Sequence, residues 1–221
     1  MKNLLIIILL MVSCASVGRV QSEVRNVVSR NESVVIVRNT MLRMECDAAK
    51  NCKMIEEHGL GTGFVFKKGY IMTNAHVVAK SVLTMVKTKG GKESYTTVVF
   101  FDPIHDIAIL KYHDDLGDIE PLEFSEEYQI GDPIVVIGHP LRYVFSHTFG
   151  RICAERTIRG TLFIQTDAAI NFGNSGGVML NHNGRVVAMT TMMVNPVLNF
   201  GVSSKEIVRR IKKWSDEVDY K

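Results

Sequence analysis

The sequence predicts an all-β protein, and three observations lead to that prediction. Short runs rich in β-branched and aromatic residues follow one another along most of the 221-residue chain, separated by turn residues. Helical periodicity is confined to the C-terminal end. A polar segment at residues 113–128 divides the runs into two groups. We therefore expect barrels or sandwiches in two halves, at about 33–115 and 129–202.

The N-terminus is typical of an export signal rather than of the fold. A lysine in residues 1–3 precedes an apolar run at residues 4–12, which is too short to span a bilayer comfortably, and small residues follow it. Cleavage after Ala15 would leave a soluble protein, whereas cleavage before Cys14 would attach a lipid, since residues 11–14 resemble a lipoprotein cleavage motif. We predict an exported protein with a signal peptide at 1–14 and a linker at 15–32, and of the two routes we favour lipidation of Cys14 and membrane anchorage through the N-terminus.

The strand predictions follow the apolar runs in chain order, and one helix ends the chain. Strands are predicted at residues 33–37, 64–66, 70–73, 82–86, 95–101, 107–112, 134–137, 143–149, 161–165, 178–180 and 186–194. The helix is predicted at 203–217, where Ser203 or Ser204 can cap it, and Ile207, Ile211 and Trp214 follow at helical spacing. Its lysines, among them Lys212 and Lys213, are expected on a solvated face.

Composition and cysteine spacing exclude several classes of function. The net charge of +3 comes without a dense Lys/Arg cluster interleaved with aromatics, which argues against nucleic-acid binding. Export permits disulfides, and Cys46 and Cys52 lie close enough in a polar stretch to close a surface loop. Cys153 is expected as a buried thiol. No second cysteine pair or neighbouring histidine completes a zinc pattern, so we expect no metal and no cofactor.

The segment with the strongest chemical character surrounds Ser175. This serine lies among Gly173, Gly176 and Gly177, directly after the apolar run at 161–165. Glycines permit a sharp bend that can aim the hydroxyl and several backbone N–H groups into one small volume, as acyl transfer requires. The same spacing fits the nucleophile elbow of α/β-hydrolases or a plain turn.

Two other residues supply what a serine nucleophile needs. His76 follows a predicted strand and Asp106 begins an apolar one, so an imidazole and an orienting carboxylate are available. The chain order His, Asp, Ser is that of chymotrypsin, whereas an α/β-hydrolase places its acid and histidine after the serine. Only one histidine, His182, follows Ser175, in a predicted turn. His105 is a weaker candidate for the base than His76.

Four segments together resemble the protease domain of the HtrA/Deg family of serine endopeptidases. They are residues 61–64 (GTGF), 73–78 (TNAHVV), 106–110 (DIAIL) and 167–177 (DAAINFGNSGG). The resemblance implies a chymotrypsin-like double β-barrel within residues 33–221, and unfolded or misfolded polypeptides as substrates. Members of the family usually carry PDZ domains after the protease; here the residues after Ser175 are expected to complete the barrel and the helix, so no PDZ domain is expected. It implies His76 as general base, Asp106 as its orienter and Ser175 as nucleophile, with the N–H groups of Gly173 and Ser175 as oxyanion hole. A homotrimer is an expectation by family analogy.

Neighbouring residues refine this expectation. Asn174 stands where enzymes activated by a new N-terminus have an aspartate, so no activation of that kind is expected. The base of the primary pocket is predicted at Ala169, with Phe200, Gly201 and Val202 beside it, and this apolar set predicts small or medium aliphatic residues before the cleaved bond.

Two other hypotheses remain open at the level of sequence. One is a non-catalytic polypeptide-binding module on the same fold. The other is a membrane-surface protein that uses the basic residues of its C-terminal helix.

Overall fold

The computed structural model describes residues 27, 29–48, 50–195 and 198–218. They form two closed six-stranded barrels followed by a helix, which confirms the predicted fold class. The predicted signal peptide, the start of the linker and the lipidation candidate Cys14 lie outside the described residues. No helix in the described ranges combines the length and the apolar character that crossing a membrane requires.

Barrel 1 contains the first six strands, and all their pairings are antiparallel. The strands are β1 (Val34–Cys46), β2 (Cys52–Lys67), β3 (Tyr70–Thr73), β4 (Ser81–Thr88), β5 (Glu93–Asp102) and β6 (Ile107–Tyr112). They close in the order β1-β2-β3-β6-β5-β4. One short helix, α1 (Ala75–Val78), interrupts the strands directly after β3. The β-branched and aliphatic runs form the strands because alternate side chains can be buried inside the barrel.

Barrel 2 repeats this architecture. Its strands are β7 (Pro133–Gly138), β8 (Ser146–Ile158), β9 (Thr161–Thr166), β10 (Val178–Leu180), β11 (Val186–Asn195) and β12 (Leu198–Ser203), closed in the order β10-β11-β12-β9-β8-β7. Short 3₁₀ helices lie at Arg30–Ser33 and Pro140–Arg142. The second of these stands next to the loop that contains Ser175, because the N–H of Leu141 donates to the carbonyl of Phe172 at 2.8 Å.

The stretch around Cys46 and Cys52 is more ordered than a surface loop. Strands β1 and β2 stay paired from Val34 opposite Phe64 to Cys46 opposite Cys52, so they extend beyond the barrel as a long hairpin. A disulfide joins the two cysteines at its tip. The outer half is exposed and has no apolar run, and its strand conformation rests on backbone pairing, which sequence periodicity does not reveal.

The core between the barrels is closed by the C-terminal helix, α2 (Ser204–Val218). Ile207 and Trp214 of α2 pack into one apolar cluster with Phe64 of barrel 1 and Val202 of barrel 2. Burial of each such side chain contributes about 1.5–3 kcal/mol, so helix and barrels stabilise each other. The hydroxyl of Ser203 accepts a hydrogen bond from the N–H of Lys205 at 3.2 Å and so caps the helix.

The end of the predicted linker also belongs to the folded body. Val27 is buried in the same apolar cluster, although it lies within the stretch predicted to be linker. The 3₁₀ helix at Arg30–Ser33 then leads directly into β1. Residues 15–32 are therefore not linker throughout.

Candidate active site

His76 and Asp106 form the first half of the site, on the inter-barrel side of barrel 1. His76 lies on the single turn of α1, and Asp106 lies in the turn between β5 and β6. The Nδ1 atom of His76 is 2.9 Å from Oδ2 of Asp106, and the backbone N–H of His76 donates to Oδ1 at 3.0 Å. An ionised carboxylate only accepts hydrogen bonds, so Nδ1 holds the imidazole proton and Nε2 is left as an acceptor.

The backbone of Asp106 is held in an uncommon conformation. Its φ angle is +55°, in the left-handed region that few non-glycine residues adopt. Such a residue costs roughly 1–3 kcal/mol and persists only where its surroundings over-determine it. Asn74 supplies one restraint, since its Nδ2 donates to the carbonyl of Asp106 at 2.9 Å. Thr191 supplies another, because its hydroxyl donates to Oδ2 of Asp106.

Thr191 also connects this pair to Ser175. Ser175 lies in the loop between β9 and β10, and its Oγ donates to the carbonyl of Thr191 at 3.5 Å. His76, Asp106 and Ser175 are thus brought together around one residue of β11. Within the described ranges, no hydrogen bond joins Ser175 Oγ to His76, because the hydroxyl is turned towards Thr191. The sequence did not single out Thr191, which resembles any other threonine in a strand.

The loop before Ser175 presents two backbone donors. The carbonyl of Phe172 accepts from Leu141, and in a trans peptide unit the following N–H, that of Gly173, points the opposite way. Among the described residues, neither this N–H nor that of Ser175 has a hydrogen-bond acceptor. Gly173 has a φ of +97°, and a Cβ atom there would lie 2.2 Å from the carbonyl oxygen of His139. Only glycine fits this position, which was predicted as half of an oxyanion hole.

Thr62 ties this loop to barrel 1, and sequence reasoning missed its role. Its N–H donates to the carbonyl of Ser175 at 2.8 Å, and its hydroxyl donates to the carbonyl of Gly173 at 2.7 Å. Its own carbonyl accepts from the hydroxyl of Thr73 at 2.7 Å. The only earlier indication was its place between two glycines in the segment 61–63.

His139 contacts Thr62 from the interior of the protein. Its Nδ1 lies 2.8 Å from the hydroxyl of Thr62, which gives its one proton to Gly173, so Nδ1 must be the donor. The ring is fully buried and packs edge-on against Phe145 at 4.7 Å between centroids. Burial disfavours the charged form and lowers the pKa of His139 from 6.5 to about 4. His139 is therefore neutral at physiological pH.

The four residues predicted for the primary pocket lie in different environments. Ala169 is exposed in the loop that contains Ser175, and its carbonyl accepts a hydrogen bond from the hydroxyl of Thr148 at 2.8 Å. Phe200 and Val202 are buried in the apolar cluster between the barrels. Gly201 faces β11, where a Cβ atom would lie 2.8 Å from the carbonyl of Met189.

A mostly apolar groove begins at Gly173 and runs along the outer face of barrel 1. Its volume is about 660 Å³. Most of its lining is apolar, including Leu60, Leu83, Leu141 and Phe172, and the polar residues of the lining include Arg38 and His58. The side chain of Phe172 is 77% exposed, and those of Leu83 and Leu141 are also exposed. The groove therefore presents an open, mostly apolar surface next to the site, and no pattern in the sequence indicated it.

Comparison with known proteins identifies relatives of the chain. Residues 61–189 match the family model of the trypsin-like peptidase domain. The chain is 32% identical over 179 residues to the serine protease Do-like HtrA of Lactococcus lactis subsp. cremoris, which covers 69% of this chain and 44% of that protein. It is 37% identical over 141 residues to the probable periplasmic serine endoprotease DegP-like of Chlamydia trachomatis, covering 61% of this chain and 28% of the relative. The chain thus spans less than half the length of either relative.

Solved structures of proteases also superpose on this chain. The HtrA-type protease AlgW with decapeptide superposes with a TM-score of 0.75 at 26% identity, covering 87% of this chain and 67% of that one. The serine endoprotease from Yersinia pestis superposes with a TM-score of 0.71 at 29% identity, covering 86% of this chain and 65% of its own.

Proposed function

Because the chain belongs to the trypsin-like peptidase family, in its HtrA type, we propose that it is a serine endopeptidase. The observation that supports this most directly is that Asp106 and Ser175 both bind Thr191, while Asp106 also binds His76. The hydroxyl of Thr191 binds the Asp106 carboxylate, its carbonyl binds the Ser175 hydroxyl, and Asp106 holds Nδ1 of His76.

Acylation follows from these positions. Rotation of the Ser175 hydroxyl away from Thr191 brings its proton towards Nε2 of His76, since catalytic hydrogen bonds often form only when substrate binds. Ser175 Oγ attacks the carbonyl carbon of the peptide bond while Nε2 takes the proton, and the carboxylate of Asp106 stabilises the imidazolium that forms. The N–H groups of Gly173 and Ser175 bind the oxyanion. The C–N bond then breaks, and His76 gives its proton to the leaving amine.

Deacylation repeats these steps with water as the nucleophile. A water molecule gives a proton to Nε2 of His76 and attacks the ester carbonyl. The ester bond to Ser175 then breaks, and the serine oxygen regains a proton from His76. The products are two shorter peptides, and the enzyme returns to its starting state.

The surroundings of the site favour unfolded or misfolded polypeptides as substrates. Such chains expose the apolar side chains that a folded protein buries, and the open groove of Leu83, Leu141 and Phe172 offers them an apolar surface. Ala169, the predicted base of the primary pocket, is exposed and carries only a methyl group, so it offers no carboxylate to bind a basic side chain. We therefore propose small or medium aliphatic residues before the cleaved bond. Phe200 and Val202 are buried in the cluster between the barrels, so we propose that they and Gly201 support this pocket from the core without contacting the substrate.

The place of action is proposed on the same basis. Relatives in Chlamydia trachomatis and Halomonas elongata bear the name of periplasmic endoproteases, which supports export of this chain. The apolar N-terminal run is consistent with a signal peptide, and Cys14 with lipid anchorage. A homotrimer is proposed by family analogy alone.

Substitution of the nucleophile tests the proposal. Ser175→Ala should abolish hydrolysis of an unfolded chain such as casein, because losses within such a triad remove roughly four to six orders of magnitude in rate. Labelling by a fluorophosphonate probe should require both Ser175 and His76. Casein turnover that survives Ser175→Ala unchanged would contradict the proposal, and Ser125→Ala serves as a control on a serine far along the chain from the site.

A second candidate is a non-catalytic polypeptide-binding module. The hydrogen bond of Ser175 to Thr191, rather than to His76, is the observation in its favour. This alternative predicts casein binding without cleavage and no labelling of Ser175 by the probe.

A further inference from the structure

A second histidine lies beside the proposed acid and contacts the C-terminal helix. His105 directly precedes Asp106, and its Nδ1 is 2.7 Å from Oδ2 of Asp102 at the start of the same turn. Its other ring nitrogen, Nε2, is 2.7 Å from Nη2 of Arg210 in α2. The His105 side chain is only 12% exposed. A buried chain of polar contacts thus joins the turn that contains Asp106 to a helix from the other end of the sequence.

Chemistry fixes the direction of both hydrogen bonds. A guanidinium group has donors only, so Arg210 donates and Nε2 of His105 accepts. The other ring nitrogen, Nδ1, therefore carries a proton and donates it to Asp102. The carboxylate of Asp102 also accepts the backbone N–H groups of Ile104 and His105, both at 3.1 Å. The turn from Asp102 to Asp106 is thus held in one conformation from inside and from the helix.

Arg210 is itself locked in place by a buried carboxylate. Glu206, one helical turn earlier, has a side chain that is 1% exposed, and its Oε1 accepts from Nε of Arg210 at 2.9 Å. The guanidinium group engages Glu206 through Nε and Nη2, and His105 through Nη2. A lysine side chain is shorter and carries one nitrogen in place of this fork, so it ends short of the position of Nη2. Arg209 contacts the same Glu206 at 3.3 Å but is 63% exposed, and it has no hydrogen bond to His105 among the described contacts.

We propose that Arg210 and His105 are positioning residues that hold Asp106 in its catalytic geometry, so that the C-terminal helix is part of the machinery that orients the base. The left-handed backbone of Asp106 persists only where its surroundings impose it. Asn74 and Thr191 restrain it from the side of the site, and the helix restrains the preceding residue from behind. A shift of about 1 Å in an orienting group is enough to lower a rate a hundredfold.

A charge-conserving pair of variants tests this inference, which rests on the proposed peptidase function. Arg210→Lys keeps a cation for Glu206, but its shorter side chain ends before the position of Nη2 and should lose the contact with His105. Arg209→Lys is the matched control on the same carboxylate. We expect Arg210→Lys to lower kcat for a peptide substrate roughly 10- to 100-fold with little change in KM. Arg209→Lys should leave both constants unchanged. His105→Phe, which keeps the ring and loses both hydrogen bonds, should behave like Arg210→Lys.

A readout that needs no turnover separates this inference from the function it rests on. The proton on Nδ1 of His76, observed by NMR, should exchange with water faster in Arg210→Lys and His105→Phe than in the wild type and Arg209→Lys. Wild-type exchange and kcat in a folded Arg210→Lys protein would overturn the proposal. If Arg210→Lys does not fold, His105→Phe decides in the same way, and if the wild type shows no turnover at all, the exchange rates still test the positioning.

Discussion

The hydroxyl of Thr62 in barrel 1 donates a hydrogen bond of 2.7 Å to the carbonyl oxygen of Gly173 in barrel 2. The N–H of Thr62 donates to the carbonyl of Ser175 at 2.8 Å. One residue of the first barrel therefore binds the carbonyl group of each of the two residues whose N–H groups are the proposed oxyanion donors. The same hydroxyl accepts a hydrogen bond from Nδ1 of the neutral His139, so a buried residue supports the loop as well.

Removal of this hydroxyl should slow catalysis more than it weakens substrate binding. In Thr62→Val, the carbonyl of Gly173 and the Nδ1 proton of His139 both lose their partner, and the oxyanion loop is freed. A hydrogen bond of this kind is worth about 0.5–1.5 kcal/mol, so we expect kcat for a peptide substrate to fall on the order of tenfold, with KM nearly unchanged. Thr62→Ser retains the hydroxyl and should retain most of the activity. Equal activities of the valine and serine variants would contradict this role.

The backbone of Gly173 should not tolerate a side chain. Gly173→Ala would place Cβ 2.2 Å from the carbonyl oxygen of His139, so the loop must move and its N–H leaves the oxyanion position. Loss of one such donor typically lowers kcat roughly 100- to 1,000-fold. Gly160 has a similarly positive φ of +83° but has open space around it, so Gly160→Ala is the matched control and should keep wild-type kcat. If kcat fell equally in both variants, backbone strain alone, rather than loss of the oxyanion donor, would be responsible.

The sequence allowed the fold class and the proposed triad to be predicted because their patterns are local. The β-branched runs between turn residues gave most of the strands, and the glycines around Ser175 indicated a bend with exposed donors. The order of His76, Asp106 and Ser175 separated two classes of hydrolase without any knowledge of distances. Each of these features can be recognised within about a dozen residues of sequence or from order alone.

The supporting residues could not be predicted, since their roles depend on contacts distant in sequence. Thr62 and Gly173 are 111 residues apart, and Thr191 reaches Asp106 across 85 residues. A threonine in a strand gives no indication of such a partner. The structure also places the fully buried His139 against Thr62, from which it is separated by 77 residues of sequence. The long hairpin was missed for another reason: it is exposed, so its sequence has no apolar periodicity.

The buried His139 should make the protein less stable in mild acid. Burial lowers its pKa from 6.5 to about 4, so between these values the unfolded chain binds a proton that the folded chain does not. The stability that this group contributes is therefore complete above about pH 6.5 and is lost progressively as the pH falls towards 4. A shift of this size corresponds to roughly 3 kcal/mol of unfolding free energy.

Urea unfolding of the wild type and His139→Asn at several pH values between 7 and 4 measures this contribution. Asparagine can still donate to Thr62 but does not titrate, so the variant should lose roughly 3 kcal/mol less stability over the range. His182 is exposed, and His182→Asn should follow the wild-type pH dependence as the control. Parallel curves for the wild type and His139→Asn would exclude a linkage between folding and this imidazole.

The apolar groove should matter for long polypeptides and not for small acylating probes. Leu83 lines the groove and is 47% exposed, so Leu83→Asp places a charge on the surface that we propose binds unfolded chains. Burial of one large apolar side chain contributes about 1.5–3 kcal/mol, and loss of the lower part of that range should reduce kcat/KM for casein roughly tenfold. The fluorophosphonate probe occupies only the neighbourhood of Ser175 and should label the variant at the wild-type rate.

Leu42 is also 47% exposed but lies outside the groove, so Leu42→Asp controls for added surface charge. Casein cleavage reduced equally by both substitutions would assign the effect to charge, and cleavage unaffected by Leu83→Asp would exclude the groove as a binding surface for the substrate.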